Sequence, residues 1–248
     1  MKFYEFGTKN ERTLMLLHGN ASTWEMSFGE SIPLLSERYH VIAVGMDGFD
    51  PSDDTEYISG EEEAAKIEEY IISHLGGEVF SIYTASLGGV PAMLMCFNDK
   101  VKIKNLILDG AEKLSFGILN RPFAKFAANI GYKLAQGKSR LLIRMILGVP
   151  PDMLDELMFT GASKKTLLNA CYASTRIYPN VPKGQPRTDI RVAFWYGSKE
   201  KGLCKKGAKA LRKYFPELEE REYKDYSHGS ILQHPEQLCN EIDSFLNS

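Results

Sequence analysis

The sequence predicts an α/β fold in which a mostly parallel sheet of about seven strands is flanked by helices. Short runs are apolar throughout, as expected for strands that are buried on both faces. Segments with helical periodicity lie between these runs, which is the pattern of a parallel sheet with crossover helices. The 248 residues are enough for one such domain with an insertion, and a chain of this size can bury a full core without metal or disulfide cross-links.

The clearest apolar run is TLMLL at residues 13–17. A last strand is expected around Glu222 and Tyr223, and the N-terminus leaves room for one short strand before Thr13. The other predicted strands are residues 41–44, 79–83, 106–108 and 192–196.

One helix start and one long helical stretch complete the predicted organisation. Ser59 with Glu62 three residues later forms a capping box, which predicts a helix beginning there. Apolar residues 65, 67, 70, 71 and 75 are expected on one face of that helix. From about residue 113 to 183 no strand pattern is present, and strands resume near residue 190. We therefore predict an α/β core of residues 1–112 and 186–248. The helical stretch, residues 113–185, is expected to form a cap over the carboxyl edge of the sheet, where open α/β sheets bind ligands.

Charge and cysteine usage exclude several classes of partner. The net charge of −2 and the pI near 6.2 give no general attraction for nucleic acid or anionic lipid. The N-terminus lacks a secretory signal pattern, and no run approaches the roughly 18 apolar residues of a membrane span. We expect a cytoplasmic protein without a metal site, whose four separated cysteines are reduced: Cys96, Cys171, Cys204 and Cys239.

The segment TASLGG at residues 84–89 follows a predicted strand and precedes the helix-like residues 90–94. A serine between small residues at a strand-to-helix turn is typical of a nucleophile elbow, where the strained backbone lifts the hydroxyl clear of the sheet. Gly88 meets the need for a small residue two positions after Ser86, whereas Thr84 stands where glycine is usual. The alternative is a simple turn in which Ser86 caps a helix.

A second motif, His18-Gly19-Asn20, comes directly after the first buried strand. A loop at this position can bring the Asn20 backbone N–H opposite that of Leu87. Two such donors would stabilise an oxyanion.

Two segments near the C-terminus supply a candidate acid and a candidate base. YGSKE at residues 196–200 and YSHG at residues 226–229 each follow a predicted strand. A serine hydroxyl is a weak nucleophile near neutral pH and needs a base, and that base needs a carboxylate to fix its tautomer. Ser86, Glu200 and His228 occur in the order nucleophile, acid, histidine.

With these motifs the chain resembles the α/β-hydrolase superfamily, and in particular its small, cap-bearing, esterase-like members. The resemblance covers nearly the whole chain except the inserted helical stretch. It rests on the His18-Gly19 loop, the elbow around Ser86, the turn with Gly197 and Glu200, where aspartate is more usual, and the closing segment at residues 228–246.

The resemblance implies a catalytic triad of Ser86, Glu200 and His228, with an oxyanion hole formed by the backbones of Asn20 and Leu87. It also implies a small-molecule acyl substrate and no cofactor. The triad acid remains open at this point, because Asp109 ends a predicted strand and Asp225 lies close to His228 in sequence.

The expected reaction is hydrolysis of small to medium acyl esters through an acyl-enzyme on Ser86. Rivals on the same scaffold are a thioesterase, a carbon–carbon bond hydrolase, an acyltransferase, a peptidase and a non-catalytic ligand-binding protein. The oligomeric state has no sequence signal. Residues expected to form the substrate pocket are His18, Trp24, Phe116, Phe123, Phe126, Met145 and Met158.

Overall fold

The structure, a computed structural model, describes residues 1–111, 117–135, 161–175 and 187–248. Within these ranges seven strands form one sheet, which confirms the predicted fold class and strand number. The strands are β1 (Lys2–Phe6), β2 (Thr13–Leu17), β3 (His40–Gly45), β4 (Glu78–Ala85), β5 (Lys102–Asp109), β6 (Arg191–Gly197) and β7 (Glu219–Tyr223).

The strand order across the sheet is β1-β3-β2-β4-β5-β6-β7. Only the pairing of β1 with β3 is antiparallel, and the other five pairings are parallel. The chain moves from β2 outward to β3 and then back across to β4, so the order reverses between the adjacent strands β2 and β4. Open α/β sheets bind ligands at the carboxyl ends of strands beside such a reversal.

Eight α-helices are described in the same ranges. Ser59 caps the longest core helix through its side chain, which accepts a hydrogen bond from Glu62 N at 3.1 Å, as the capping box predicted. One detail of that prediction is wrong: Ala65 is exposed, and the buried position is Ala64. The helices are α1 (Trp24–Phe28), α2 (Ser31–Leu35), α3 (Gly60–Leu75), α4 (Gly89–Asn98), α5 (Asn120–Ala135), α6 (Lys164–Ser174), α7 (Lys201–Leu211) and α8 (Pro235–Leu246).

Both faces of the sheet are covered, which explains why its central strands read as continuous apolar runs. Met15 and Leu17 of β2 point to the layer that contains α3, α4 and α7. Leu14 and Leu16, the alternate residues of the same strand, point to the layer that contains α1, α2 and α8. All four side chains are fully buried. The two layers therefore bury the central strands β2 and β4 on both faces.

Helices α5 and α6 lie in the chain between β5 and β6, within the stretch predicted to be a helical insertion. They pack against each other, and α6 also packs on the core through the buried Leu167 and Ala170. Two hydrogen bonds join α6 to the segment before α3: Tyr57 N donates to Thr166 Oγ1 at 3.2 Å, and Asn169 Nδ2 donates to Tyr57 O at 2.9 Å. Among the described residues, no helix is long and apolar enough to cross a membrane.

Candidate active site

Ser86 lies where β4 turns into α4. Its backbone φ is +46°, a left-handed conformation that residues with a Cβ rarely adopt. Every other residue from 81 to 96 is buried, whereas Ser86 is half-buried. The turn therefore lifts one side chain out of the core and leaves its neighbours packed, which is the geometry of a strained nucleophile elbow.

The elbow needs a small residue after Ser86 but tolerates a larger one before it. A Cβ at Gly88 would lie 2.5 Å from Leu17 O, so β2 passes too close for any side chain at this position. Thr84, which stands where glycine is usual, is fully buried and donates from Oγ1 to Ile107 O on β5 at 3.1 Å. The departure from the usual pattern is thus accommodated by a hydrogen bond to the neighbouring strand.

The loop after β2 approaches Ser86 from the adjacent strand. A Cβ at Gly19 would lie 3.7 Å from Ser86 Cβ, so Gly19 and Asn20 are neighbours of the elbow. Ala21, the next residue, has φ +54° and is a second strained residue at this edge of the sheet. The loop is held in place by His18.

His18, which we predicted to be a pocket residue, is fully buried beneath this loop and is not among the residues that line the cavity described below. Its Nδ1 is 2.9 Å from Gly19 O, and its Nε2 accepts from Met46 N at 3.2 Å. These partners require a neutral ring with the proton on Nδ1. Burial lowers the pKa of His18 to about 4, which keeps the ring neutral at physiological pH.

His228 and Glu200 are joined by a hydrogen bond between Nδ1 of the imidazole and Oε2 of the carboxylate, 3.0 Å apart. Glu200 ends a short turn after β6, and its side chain is 16% exposed, whereas that of His228 is 44% exposed. A carboxylate on Nδ1 fixes the tautomer in which Nε2 is the basic nitrogen.

Two hydrogen bonds join the turn that carries Glu200 to the loop that carries His228. Lys199 N donates to Tyr226 O at 3.0 Å, and Asp225 N donates to Ser198 Oγ at 2.9 Å. Each contact lies within three residues of Glu200 or His228. These hydrogen bonds therefore hold the two segments that carry the acid and the histidine against each other.

Asp109 and Asp225, the two alternative acids, lie near the end of β5 and in the loop after β7. Asp109 is buried at the end of β5 and accepts a hydrogen bond from Tyr83 OH at 2.7 Å. Burial and the nearby Asp109 carboxylate raise the pKa of Tyr83, so the phenol remains a donor. Asp225 is exposed, with φ +65°, and its backbone holds the turn described above.

Gly110, which the sequence reasoning did not single out, is in contact with the histidine. It follows β5 with φ +60°, and a Cβ there would lie 2.8 Å from His228 Cε1 and 3.0 Å from Nδ1. A glycine directly after a buried strand was the available signal, since it marks a sharp turn at the edge where ligands bind.

These residues meet at one cavity of about 360 Å³. Ser86, Glu200, His228 and Asn20 line it together, and helices α5 and α6 supply much of the remaining wall. The residues of this wall from outside the predicted set are Gly110, Ala111, Ala127, Cys171, Ser174 and Thr175. Within the described ranges, no three His, Cys, Asp or Glu side chains are close enough to hold a metal ion.

Of the predicted pocket residues that fall within the described ranges, only Phe123 lines this cavity. Trp24 stacks on Tyr4, with ring centroids 4.6 Å apart, and does not line the cavity. Phe126 is 65% exposed on α5 and does not line it either, because helical periodicity identifies an apolar face but not the neighbour that covers it. Phe116, Met145 and Met158 lie outside the described residues.

Comparison with known proteins agrees with this architecture. An alpha/beta hydrolase family protein from Desulfitobacterium hafniense is 24% identical, with a TM-score of 0.84 over 99% of this chain and 100% of that one. A carboxylesterase structure from Nitrososphaera gargenis is 17% identical, with a TM-score of 0.75 over 99% and 93%. An esterase from Thermogutta terrifontis is also 17% identical, with a TM-score of 0.75 over 99% and 92%. At these identities the likeness shows the fold. The family model of the alpha/beta hydrolase fold matches residues 12–157, more than half of the sequence, and the chain therefore belongs to that family.

Proposed function

We propose that the protein is a serine hydrolase that cleaves carboxylic esters of small to medium acyl groups through an acyl-enzyme on Ser86. The observation that carries the proposal is the hydrogen bond between His228 Nδ1 and Glu200 Oε2, beside a cavity that Ser86 also lines. The strained φ of +46° at Ser86 supports the same assignment, because such strain is typical of an exposed nucleophile.

In the proposed mechanism, His228 is the general base. Its Nδ1–H donates to Glu200, so the lone pair on Nε2 accepts the Ser86 proton as the hydroxyl oxygen attacks the ester carbonyl. The Glu200 carboxylate stabilises the imidazolium that forms. The imidazolium then protonates the departing alcohol, and a water molecule hydrolyses the acyl-enzyme by the same steps.

The oxyanion of each tetrahedral intermediate would be held by the backbone N–H groups of Leu87 and Asn20. Leu87 follows Ser86 at the start of the turn that leads into α4, whose N-terminus favours negative charge. Asn20 follows Gly19, which lies against Ser86 from the adjacent strand.

The size and walls of the cavity support a small acyl substrate. A volume of about 360 Å³ is near the lower end of the range for small-molecule sites. Phe123, Ala127 and Ala111 provide apolar walls on the side of α5 and β5. We assign α5 and α6 to the cap predicted for residues 113–185, with the selection of the acyl group as its role.

Labelling with a fluorophosphonate and turnover of p-nitrophenyl butyrate test the proposal. The parent should be labelled at Ser86, and Ser86→Ala should abolish labelling and reduce kcat by at least 10³-fold. Ser73→Ala, which removes an exposed serine hydroxyl on α3, should leave both unchanged. Turnover by Ser86→Ala within tenfold of the parent would refute the mechanism.

The same assay separates the rivals. A ligand-binding protein with an inactive triad would not react with the fluorophosphonate, because its serine would be unactivated. A thioesterase would hydrolyse butyryl-CoA with a higher kcat/KM than butyrate esters. We expect the oxygen ester to be preferred.

A further inference from the structure

We propose that the side-chain carboxamide of Asn20 selects acyl substrates that carry a hydroxyl group on the third carbon of the acyl chain. This inference rests on the proposed function, since it assigns a substrate class to the same cavity. It gives the side chain of Asn20 a role in addition to that of its backbone N–H.

The carboxamide of Asn20 is poorly satisfied in the free protein. Among the described residues, no group donates to its Oδ1, although the atom is buried. Its Nδ2 donates to Cys171 Sγ on α6 at 3.4 Å, and a thiol sulfur is a weak acceptor. Buried amide groups are almost always fully hydrogen-bonded, and the exceptions call for an explanation.

A hydroxyl on the substrate would satisfy this amide. Asn20 lines the cavity that Ser86 and His228 share, and it follows Gly19, which is in contact with Ser86. Rotation about the side chain's terminal torsion is broad, so Oδ1 can turn toward the cavity at the expense of only the weak bond to sulfur. A substrate hydroxyl would then donate to Oδ1 within a few ångströms of the scissile carbonyl.

The loop after β2, which contains strained backbone at Ala21, fixes the position of the Asn20 side chain in the cavity wall. Ala21 has φ +54°, a conformation that holds the chain reversal directly after Asn20. His18, the other neighbour of Gly19, is hydrogen-bonded at both ring nitrogens. The backbone on both sides of Asn20 is therefore set, and the side chain alone is left to adapt to the substrate.

The residues of the cavity wall near Asn20 also bear on the expected preference for substrates with a hydroxyl group. Phe123 and Ala127 are apolar, and the hydroxyls of Ser174 and Thr175 already donate to Ala170 O and Tyr172 O, at 3.1 Å and 2.7 Å. An unsatisfied acceptor in the cavity wall, such as Asn20 Oδ1, discriminates against analogues that lack a donor, because their binding leaves that acceptor unpaired.

The inference can be tested independently of turnover by measuring the equilibrium binding of ester probes to the Ser86→Ala variant by NMR titration. The probes are ethyl 3-hydroxybutyrate, ethyl 3-methoxybutyrate, which has no donor, and ethyl butyrate. We expect the hydroxy ester to bind at least tenfold more tightly than either analogue. In the same background, Asn20→Leu should abolish the preference, and Asn20→Asp should retain it because a carboxylate also accepts. Ser73→Ala, on α3 and outside the cavity, is the control and should also retain it.

Equal affinities for the three esters would overturn the inference, as would a methoxy ester that binds as tightly as the hydroxy ester. A preference that survives Asn20→Leu, or is lost in Asn20→Asp when that variant is folded, would also overturn it. Failure of the proposed function has a different signature: the binding preference would be present, but the parent would neither hydrolyse the esters nor react with a fluorophosphonate.

Discussion

The imidazole of His228 lies directly against Gly110, in the space that any side chain at position 110 would occupy. A Cβ at this position would be 2.8 Å from His228 Cε1 and 3.0 Å from Nδ1. The same Nδ1 is 3.0 Å from Glu200 Oε2. The imidazole of His228 is thus in contact with the end of β5 on one side and with the Glu200 carboxylate on another.

Gly110→Ala should displace the histidine and lower kcat at least tenfold. The added methyl group cannot coexist with the present position of the ring, so the bond to Glu200 must lengthen or rotate. The left-handed φ of +60° also costs about 1 kcal/mol of stability when a Cβ is present. Steady-state kinetics with p-nitrophenyl butyrate and urea unfolding measure the two effects.

Gly76→Ala is the control for backbone strain alone. Gly76 ends α3 with φ +66°, and a Cβ there would meet no atom within 4 Å. This variant should lose a similar amount of stability and keep the parent's kcat. If Gly110→Ala were as active as Gly76→Ala, the contact with His228 would have no catalytic consequence.

Glu200→Gln should lower kcat with little effect on stability, whereas Asp109→Asn should lower stability with little effect on kcat. Glu200→Gln removes the charge that stabilises the imidazolium, so kcat should fall about 10³- to 10⁴-fold with little change in stability. Asp109→Asn weakens the acceptor of the buried Tyr83 hydroxyl, so unfolding should become easier while kcat stays within tenfold of the parent. The reverse result would make Asp109 the triad acid.

Much of the fold could be predicted because strands that are buried on both faces of the sheet contain continuous runs of apolar residues. Residues 14–17, 41–44 and 106–108, which lie within β2, β3 and β5, are apolar at every position. The order of Ser86, Glu200 and His228 along the chain follows from their places after strands. Local sequence patterns are enough to predict the positions of these three residues, because each of them lies in the segment that follows a strand.

The walls of the cavity could not be predicted, because they depend on contacts between distant parts of the chain. Cys171 reaches the cavity because α6 is bonded to Tyr57, more than a hundred residues away in sequence. His18 resembled a pocket residue from its place after β2, but its ring turned inward to hold Gly19 and Met46. The direction of such a side chain is set by partners that no local pattern reveals.

The buried ring of His18 should make the protein sensitive to acid at mildly acidic pH. The pKa of His18 is about 4 in the folded chain and 6.5 in the unfolded chain, so protons bind preferentially to the unfolded state between these values. The free energy of unfolding should therefore be at its full value above pH 6.5 and fall as the pH drops toward 4. The difference amounts to about 3 kcal/mol.

His18→Gln isolates this contribution. The variant should be less stable than the parent at pH 7.5, because the two ring hydrogen bonds are lost. It has no imidazole to protonate, so its loss of stability between pH 7.5 and 4.5 should be smaller by about 2 to 3 kcal/mol. Parallel stability curves for the two proteins, measured by urea unfolding, would contradict the assignment.

Thr166→Val should loosen the junction between α6 and the core. Thr166 Oγ1 accepts from the backbone N–H of Tyr57, and the replacement keeps the shape of the side chain but leaves that buried donor unpaired. We expect a loss of about 1 to 3 kcal/mol of stability. Since α6 carries Cys171 and Ser174 of the cavity wall, KM for p-nitrophenyl butyrate should rise more than kcat falls.

The matched control lies one residue away on the same helix. Lys165 pairs with Glu56 at the surface and is 63% exposed. Lys165→Ala therefore removes a solvent-screened ion pair, which contributes little to stability, and no buried hydrogen bond. Its KM and stability should stay close to those of the parent. If both variants raised KM equally, the surface pair rather than the buried bond would hold α6 in place. If neither did, the position of α6 would not depend on its contact with Tyr57.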